Sequence, residues 1–296
     1  MVAVVAFVLV QQWPAVAPQL RRLPVPVLVA STCCVLVAVL ASMLSWRLVL
    51  SDLGGAVPVR QAARIFLVGQ LGKYLPGSVW PLLTQVALGR AAGVPATTSA
   101  VAGIVAMGLA VATGLVVGLV AGVGAGLGGG YAVVALVGAA CALPFMLSAA
   151  LLNRVVERGL SILRRPALPR RLSSRVLYGS QLLVMVAWLA YGLHIWLLAR
   201  ALGPVGASDL VPITGGYALA MTVGMLVVLA PAGAGVREAV LALTLAPALG
   251  TEAALAVVLV SRLLVTGVDL VTGAVGSVSV RRAKSLPPGP EKGHSA

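Results

Sequence analysis

Five charged residues stand where charge is expensive. Arg237 and Glu238 follow the break Pro231-Ala232-Gly233-Ala234-Gly235, and Arg262 and Asp269 interrupt an apolar run at 251–280. Lys73 precedes a similar break, Leu75-Pro76-Gly77-Ser78, with Trp80 just beyond it. A helix that starts after a Pro/Gly break presents free N–H groups and a partial positive charge at its N-terminus. With a cation beside it, such an end suits a phosphate or another anion. The first break therefore contributes Lys73, Pro76, Gly77 and Trp80, the last placed to touch an acyl chain. The second contributes Pro231, Gly233, Gly235, Arg237 and Glu238. The Arg237-Glu238 pair reads in two ways, as an interfacial ion pair that fixes topology or as part of a headgroup site or gate.

Arg262 and Asp269 each cost about 2.5–3.5 kcal/mol at a helix centre and must face protein or water. Seven residues apart, they share a helix face but are separated by roughly 10 Å along the axis. Arg262 is therefore expected to pair with Glu238. His194 has no second histidine in the apolar part of the chain, so it reads as a structural hydrogen-bonding residue rather than a metal ligand. Cys33, Cys34 and Cys141 lie in apolar runs without metal spacing and read as packing residues. There is no Gly-x-Ser-x-Gly, no P-loop and no acidic metal cluster. No enzymatic activity, cofactor or metal is expected, and transport would be a scramblase action or driven by an ion or lipid gradient.

The elements that carry these residues are set by composition. Of 296 residues, 60% are hydrophobic and 9% charged, against about 45–50% and 25% in soluble domains. This excludes a soluble globular protein, a disordered chain and a disulfide scaffold. The net charge of +14 comes from arginines between apolar runs, which points to topology and anionic lipid headgroups, not nucleic acid. Uncharged runs long enough to span occur at 23–46, within 91–153 (divided by the glycine cluster at 122–130), at 176–199 and at 210–236. The expected fold is all-α: a polytopic transmembrane helical bundle of about 6–8 membrane segments. The runs at 78–93 and 236–250 are too short to span and are expected to enter the bilayer and stop. Residues 59–72 read as an amphipathic helix in the interface.

The two breaks echo each other, since sixteen positions separate Gly77 from Gly93 and fifteen separate Gly235 from Gly250. Paired broken segments in two halves point to a transporter-like site. Seven arginines against Glu157 mark the loop 153–176 as cytoplasmic, and the basic tail 283–296, expected to be disordered, marks the C-terminus likewise. An even number of crossings must lie between them, whereas the apolar runs supply three, so either 236–250 crosses or one span is misread. The apolar start, 1–20, reads as a first helix that lacks its beginning.

The segment Gln70-Leu71-Gly72-Lys73-Tyr74-Leu75-Pro76-Gly77-Ser78-Val79-Trp80 resembles the flippase-like transmembrane family, also named after the membrane region of lysylphosphatidylglycerol synthase. Pro231-Ala232-Gly233-Ala234-Gly235-Val236-Arg237-Glu238 and Val260-Ser261-Arg262-Leu263 resemble its other hallmarks, and the likeness runs from about residue 25 to 280. It implies an integral membrane domain over 1–282, in the cytoplasmic membrane of the cell envelope, that binds or translocates lipids. In synthase relatives a soluble aminoacyl-transferase domain follows this region. Here the sequence ends at Ala296 with a short basic tail, so lysyl transfer is not expected of it. The leading expectation is a protein that flips or scrambles an anionic phospholipid or lipid-linked glycan. The alternative is a non-transporting membrane partner that docks a lipid-modifying enzyme or glycosyltransferase.

Overall fold

The computed structural model describes residues 17–75, 79–124, 129–226 and 235–284. Pro76, Gly77, Pro231 and Gly233 lie outside the described residues, as do the expected first helix over 1–16 and the tail beyond Lys284. All the regular elements are helical: α1 (Val25–Asp52), α2 (Val59–Gln70), a 3-10 turn (Leu71–Tyr74), α3 (Trp80–Ala91), α4 (Ala96–Gly124), α5 (Gly129–Leu147), α6 (Ala149–Ile162), α7 (Ser174–Leu202), a second short 3-10 turn (Ala207–Asp209), α8 (Leu210–Leu226), α9 (Val236–Leu249) and α10 (Thr251–Lys284).

Four helices among the described residues are long and apolar enough to cross a bilayer: Val25–Asp52, Ala96–Gly122, Ser174–Leu202 and Thr251–Ser277. A bent pair, Leu136–Leu147 with Ala149–Ile162, raises the number to five if it is one span. This agrees only roughly with the expected segment number, partly because α8 stops at the edge of the described residues. The helices in the two broken elements are short. At 1.5 Å per residue, α3 and α9 reach roughly 18 and 21 Å, short of a hydrocarbon core of about 30 Å.

Two boundaries differ from expectation. The apolar run after the glycine cluster does not continue to residue 152. It turns by 94° at Ser148, whose Oγ accepts the Leu151 N–H at 3.2 Å and caps α6. The arginine-rich stretch is therefore not all loop. Its first part is α6, with Arg154 and Arg158 exposed and Leu160 buried. Asn153 fixes the return by bonding Leu172 through both its amide groups, at 2.9 and 3.0 Å.

Packing forms two apolar clusters. One joins α1, α2 and α4 with the start of α7, around Trp46, Leu50 and Ile65. The other joins the second half of α7 with α8, α9 and α10, around Ile195, Tyr217 and Leu241. Tyr191 packs against both. The outer surface is apolar, with Val29, Leu182, Leu243 and Val275 all exposed, as a lipid-facing surface requires. Cys33 and Cys141 are also exposed and unpaired. Helices approach closely where one side chain is missing, as expected when packing rather than hydrophobic burial drives association in lipid. A Cβ on Gly114 of α4 would sit 2.8 Å from the Trp188 ring of α7, and one on Gly192 would collide with Thr214 of α8.

Gly192→Val is accordingly expected to cost about 1–3 kcal/mol through overpacking. Gly108→Ala, which meets nothing within 4 Å, should be neutral or slightly stabilising. Thermal unfolding of the detergent-solubilised variants compares them, and equal melting temperatures would count against this packing.

Candidate functional site

The first charged cluster is built by the turn before the first break. The amphipathic helix α2 packs on α10 and tightens after Gln70 into the 3-10 turn. The turn lies directly on the start of α3, where a Cβ on Gly72 would be 2.8 Å from both Pro81 N and Trp80 C. A side chain there would lift the turn away. Gly273 of α10 lies under Leu71 in the same way, at 2.7 Å. The following residues, Lys73 and Tyr74, then reach α10. Lys73 Nζ lies 2.7 Å from Asp269 Oδ2, and Tyr74 Oη donates to the same oxygen at 2.6 Å. Asp269 is buried, with its side chain 1% exposed. Desolvating two ions costs several kcal/mol each, so the pair persists through its short geometry and the added phenol hydrogen bond.

The second cluster is built by Gly235. Its φ of +88° is disfavoured for any residue with a side chain, and it turns the chain into α9. Glu238, three residues on, closes a capping box: its Oε2 accepts the Gly235 N–H at 2.7 Å. Its other oxygen lies 3.4 Å from Arg262 Nη1 of α10. Glu238 therefore caps one helix and ties it to the next, and the expected Arg262–Glu238 pair is present.

Arg237 goes elsewhere. It is 6% exposed, its Nη2 donates to Tyr217 Oη at 3.2 Å, and its guanidinium carbon lies 5.5 Å from the centre of that ring. No carboxylate lies within ion-pair distance of Arg237 among the described residues. Tyr217 is fixed in turn by stacking on Tyr191 at 5.4 Å and meeting His194 edge-on at 5.3 Å. His194 is fully buried. Its Nε2 bonds Ser261 Oγ at 2.8 Å, and its Nδ1 faces the Tyr191 carbonyl.

Tyr74, Tyr191 and the charged side chains other than Glu238 face a cavity of about 480 Å³ between the two apolar clusters, within the range of small-molecule sites. Lys73, Arg237, Arg262 and Asp269 line its charged side. Gln70, Gln85 and Ser42 add neutral hydrogen-bonding groups, and Met107, Met221 and Met225 add flexible apolar wall. Gln85 is buried between Gly69, whose Cβ would meet its Cγ at 2.7 Å, and Gly103, whose Cβ would meet its Oε1 at 3.2 Å.

The structure thus brings Lys73, Arg237, Arg262 and Asp269 to one cavity, with Glu238 behind Arg262 and Gly235 shaping the entry of α9. Trp80 is not among the described residues lining the cavity. It is 42% exposed. Arg237 and Glu238 do not pair with each other: adjacent in sequence, they serve different partners. Tyr74, Tyr217 and Gln85 escaped the sequence reading. Gln85 carried a signal, being a lone amide in a short apolar segment. The tyrosines carried none, since their roles depend on helix packing.

The chain matches the family described as Lysylphosphatidylglycerol synthase TM region over residues 1–273 and belongs to it. No curated protein matches the sequence.

Asp269→Asn leaves the partly buried Lys73 beside a neutral partner and is expected to cost about 3 kcal/mol. Replacing both residues, as Lys73→Met with Asp269→Leu, should recover most of that stability. Thermal melts of the two variants in detergent check this. An unchanged melting temperature for Asp269→Asn would mean the pair is not formed in the membrane-embedded protein.

Proposed function

We propose that this membrane protein binds an anionic lipid by its headgroup in the central cavity and lets it cross between leaflets of the cytoplasmic membrane, with no covalent step. The supporting observation is Arg237, a buried guanidinium on the wall of an apolar-lined cavity, with a phenol and, among the described residues, no carboxylate beside it. A buried charge without a counter-ion is costly, and a lipid phosphate would supply one. Charge-assisted hydrogen bonds from guanidinium to phosphate are among the strongest available. The start of α9, one residue before Arg237, adds the positive end of its helix.

In this reading the other charges serve as scaffold. Lys73 and Arg262 are held by Asp269 and Glu238, so they keep the cavity wall polar without competing for the headgroup. Gly235 turns the chain into α9 through its positive φ, and the exposed Trp80 meets acyl chains. The acyl chains remain outside along the apolar helix faces while the headgroup crosses, down its own gradient. The exposed arginines of α6 and the 163–173 connection face the cytoplasm.

The alternative, a docking partner for a lipid-modifying enzyme or glycosyltransferase, is favoured by the same exposed arginine surface: of its side chains, Arg171 pairs with Glu157 at 2.7 Å and most of the others face outward.

Reconstitution into proteoliposomes with fluorescent phosphatidylglycerol separates these readings. The intact chain should equilibrate the probe between leaflets. Arg237→Gln should slow it about tenfold or more, since a charge-assisted hydrogen bond is worth about 1.5–3 kcal/mol. Neutralising Arg154, Arg158 and Arg170 should leave the rate unchanged. No movement above protein-free vesicles, with loss of cellular function on arginine neutralisation, would instead support docking.

A further inference from the structure

Resting on that reading, we propose that the cavity selects a lipid headgroup with one net negative charge and no cation: a phosphodiester whose remaining part is uncharged. The argument is a count of charges. The charged residues lining the cavity are Lys73, Arg237, Arg262 and Asp269. The Lys73–Asp269 pair, at 2.7 Å, is neutral overall wherever its shared proton sits. The Arg262–Glu238 pair, at 3.4 Å, is also neutral, with the second Glu238 oxygen taken by the Gly235 N–H. Among the described residues one positive charge is left over, on Arg237.

A phosphodiester brings one negative charge and closes this balance. A phosphomonoester is close to doubly charged above its second pKa of about 6, so it would carry a surplus negative charge into a site of low polarity, at a cost of several kcal/mol. A zwitterionic or aminoacylated headgroup would need a carboxylate for its ammonium. Both carboxylates at the site are already engaged, and the Tyr217 ring is covered by Arg237. The site is therefore not built for a cationic, amino-acid-esterified lipid. The rest of the wall suits an uncharged, hydroxyl-bearing remainder. The Gln70 and Gln85 amides both donate and accept, and the Ser42 hydroxyl, which donates to the Ala38 carbonyl at 2.8 Å, keeps its lone pairs free to accept.

The test is binding competition on the purified full chain in detergent at pH 8, read by native mass spectrometry. Phosphatidylglycerol, phosphatidate, phosphatidylethanolamine and lysyl-phosphatidylglycerol are supplied at equal concentration. Phosphatidylglycerol should be retained over each of the others by about tenfold or more, which corresponds to about 1.4 kcal/mol. Glu238→Gln keeps an acceptor for the Gly235 N–H but releases the charge of Arg262. It should shift retention toward phosphatidate while the protein stays folded. Equal retention of phosphatidylglycerol and phosphatidylethanolamine, or unchanged selectivity in Glu238→Gln, would overturn the proposal. Selective binding without transport in vesicles would overturn translocation and leave the charge selection standing. Transport of all four lipids at one rate, with unselective binding, would do the reverse.

Discussion

A charge inside a bilayer must find its partner within the protein, and here one helix supplies the partners for both broken elements. Asp269 of α10 holds Lys73 and Tyr74, in the turn that leads into the first break. Arg262 of α10 holds Glu238, in the first turn after the second. Seven residues, or roughly 10 Å of helix, separate the two attachments. Each short helix is too brief to be anchored by spanning. The polar contacts to α10 tie down the residues flanking both short helices, and Lys73, Arg262 and Asp269 from these contacts line the cavity.

The dipeptide Arg237-Glu238 shows how such a site divides labour. Glu238 is consumed by structure, since it caps α9 and joins it to α10. Arg237, rotated about 100° along the same helix, faces the cavity over Tyr217. The aromatic cluster of Tyr217, Tyr191, His194 and Trp188 gives the guanidinium a firm, weakly polar seat, so its charge is held in place without being cancelled. Packing of small residues against large ones, such as Gly114 against Trp188, keeps that cluster in register.

Much of the architecture was legible because lipid imposes simple rules. Apolar runs of sufficient length gave α1, α7 and α10, and short runs after Pro/Gly gave α3 and α9. The Arg262–Glu238 pair was legible because the chain offers only seven carboxylates and few lie near apolar segments. The partner of Asp269 was not, because it depends on how closely the 71–74 turn sits over Gly72 and the start of α3. The bend at Ser148 was hidden by composition: apolar residues continue through it, and only a local cap and Pro144 in the preceding helix mark the change. Helix α6 was read as loop because its arginines dominate the eye, although Val156 and Leu160, packed toward the core, keep helical spacing between them. Hydropathy reports depth in the membrane, not which side chains meet.

The most direct test is a structure of the full chain in phosphatidylglycerol nanodiscs, by electron cryomicroscopy with a bound antibody fragment for size. The account predicts phosphate density in the cavity within hydrogen-bonding distance of the Arg237 guanidinium, with the Lys73–Asp269 and Arg262–Glu238 pairs intact around it. A cavity occupied only by acyl chain, with Arg237 turned onto a carboxylate of the protein, would contradict it.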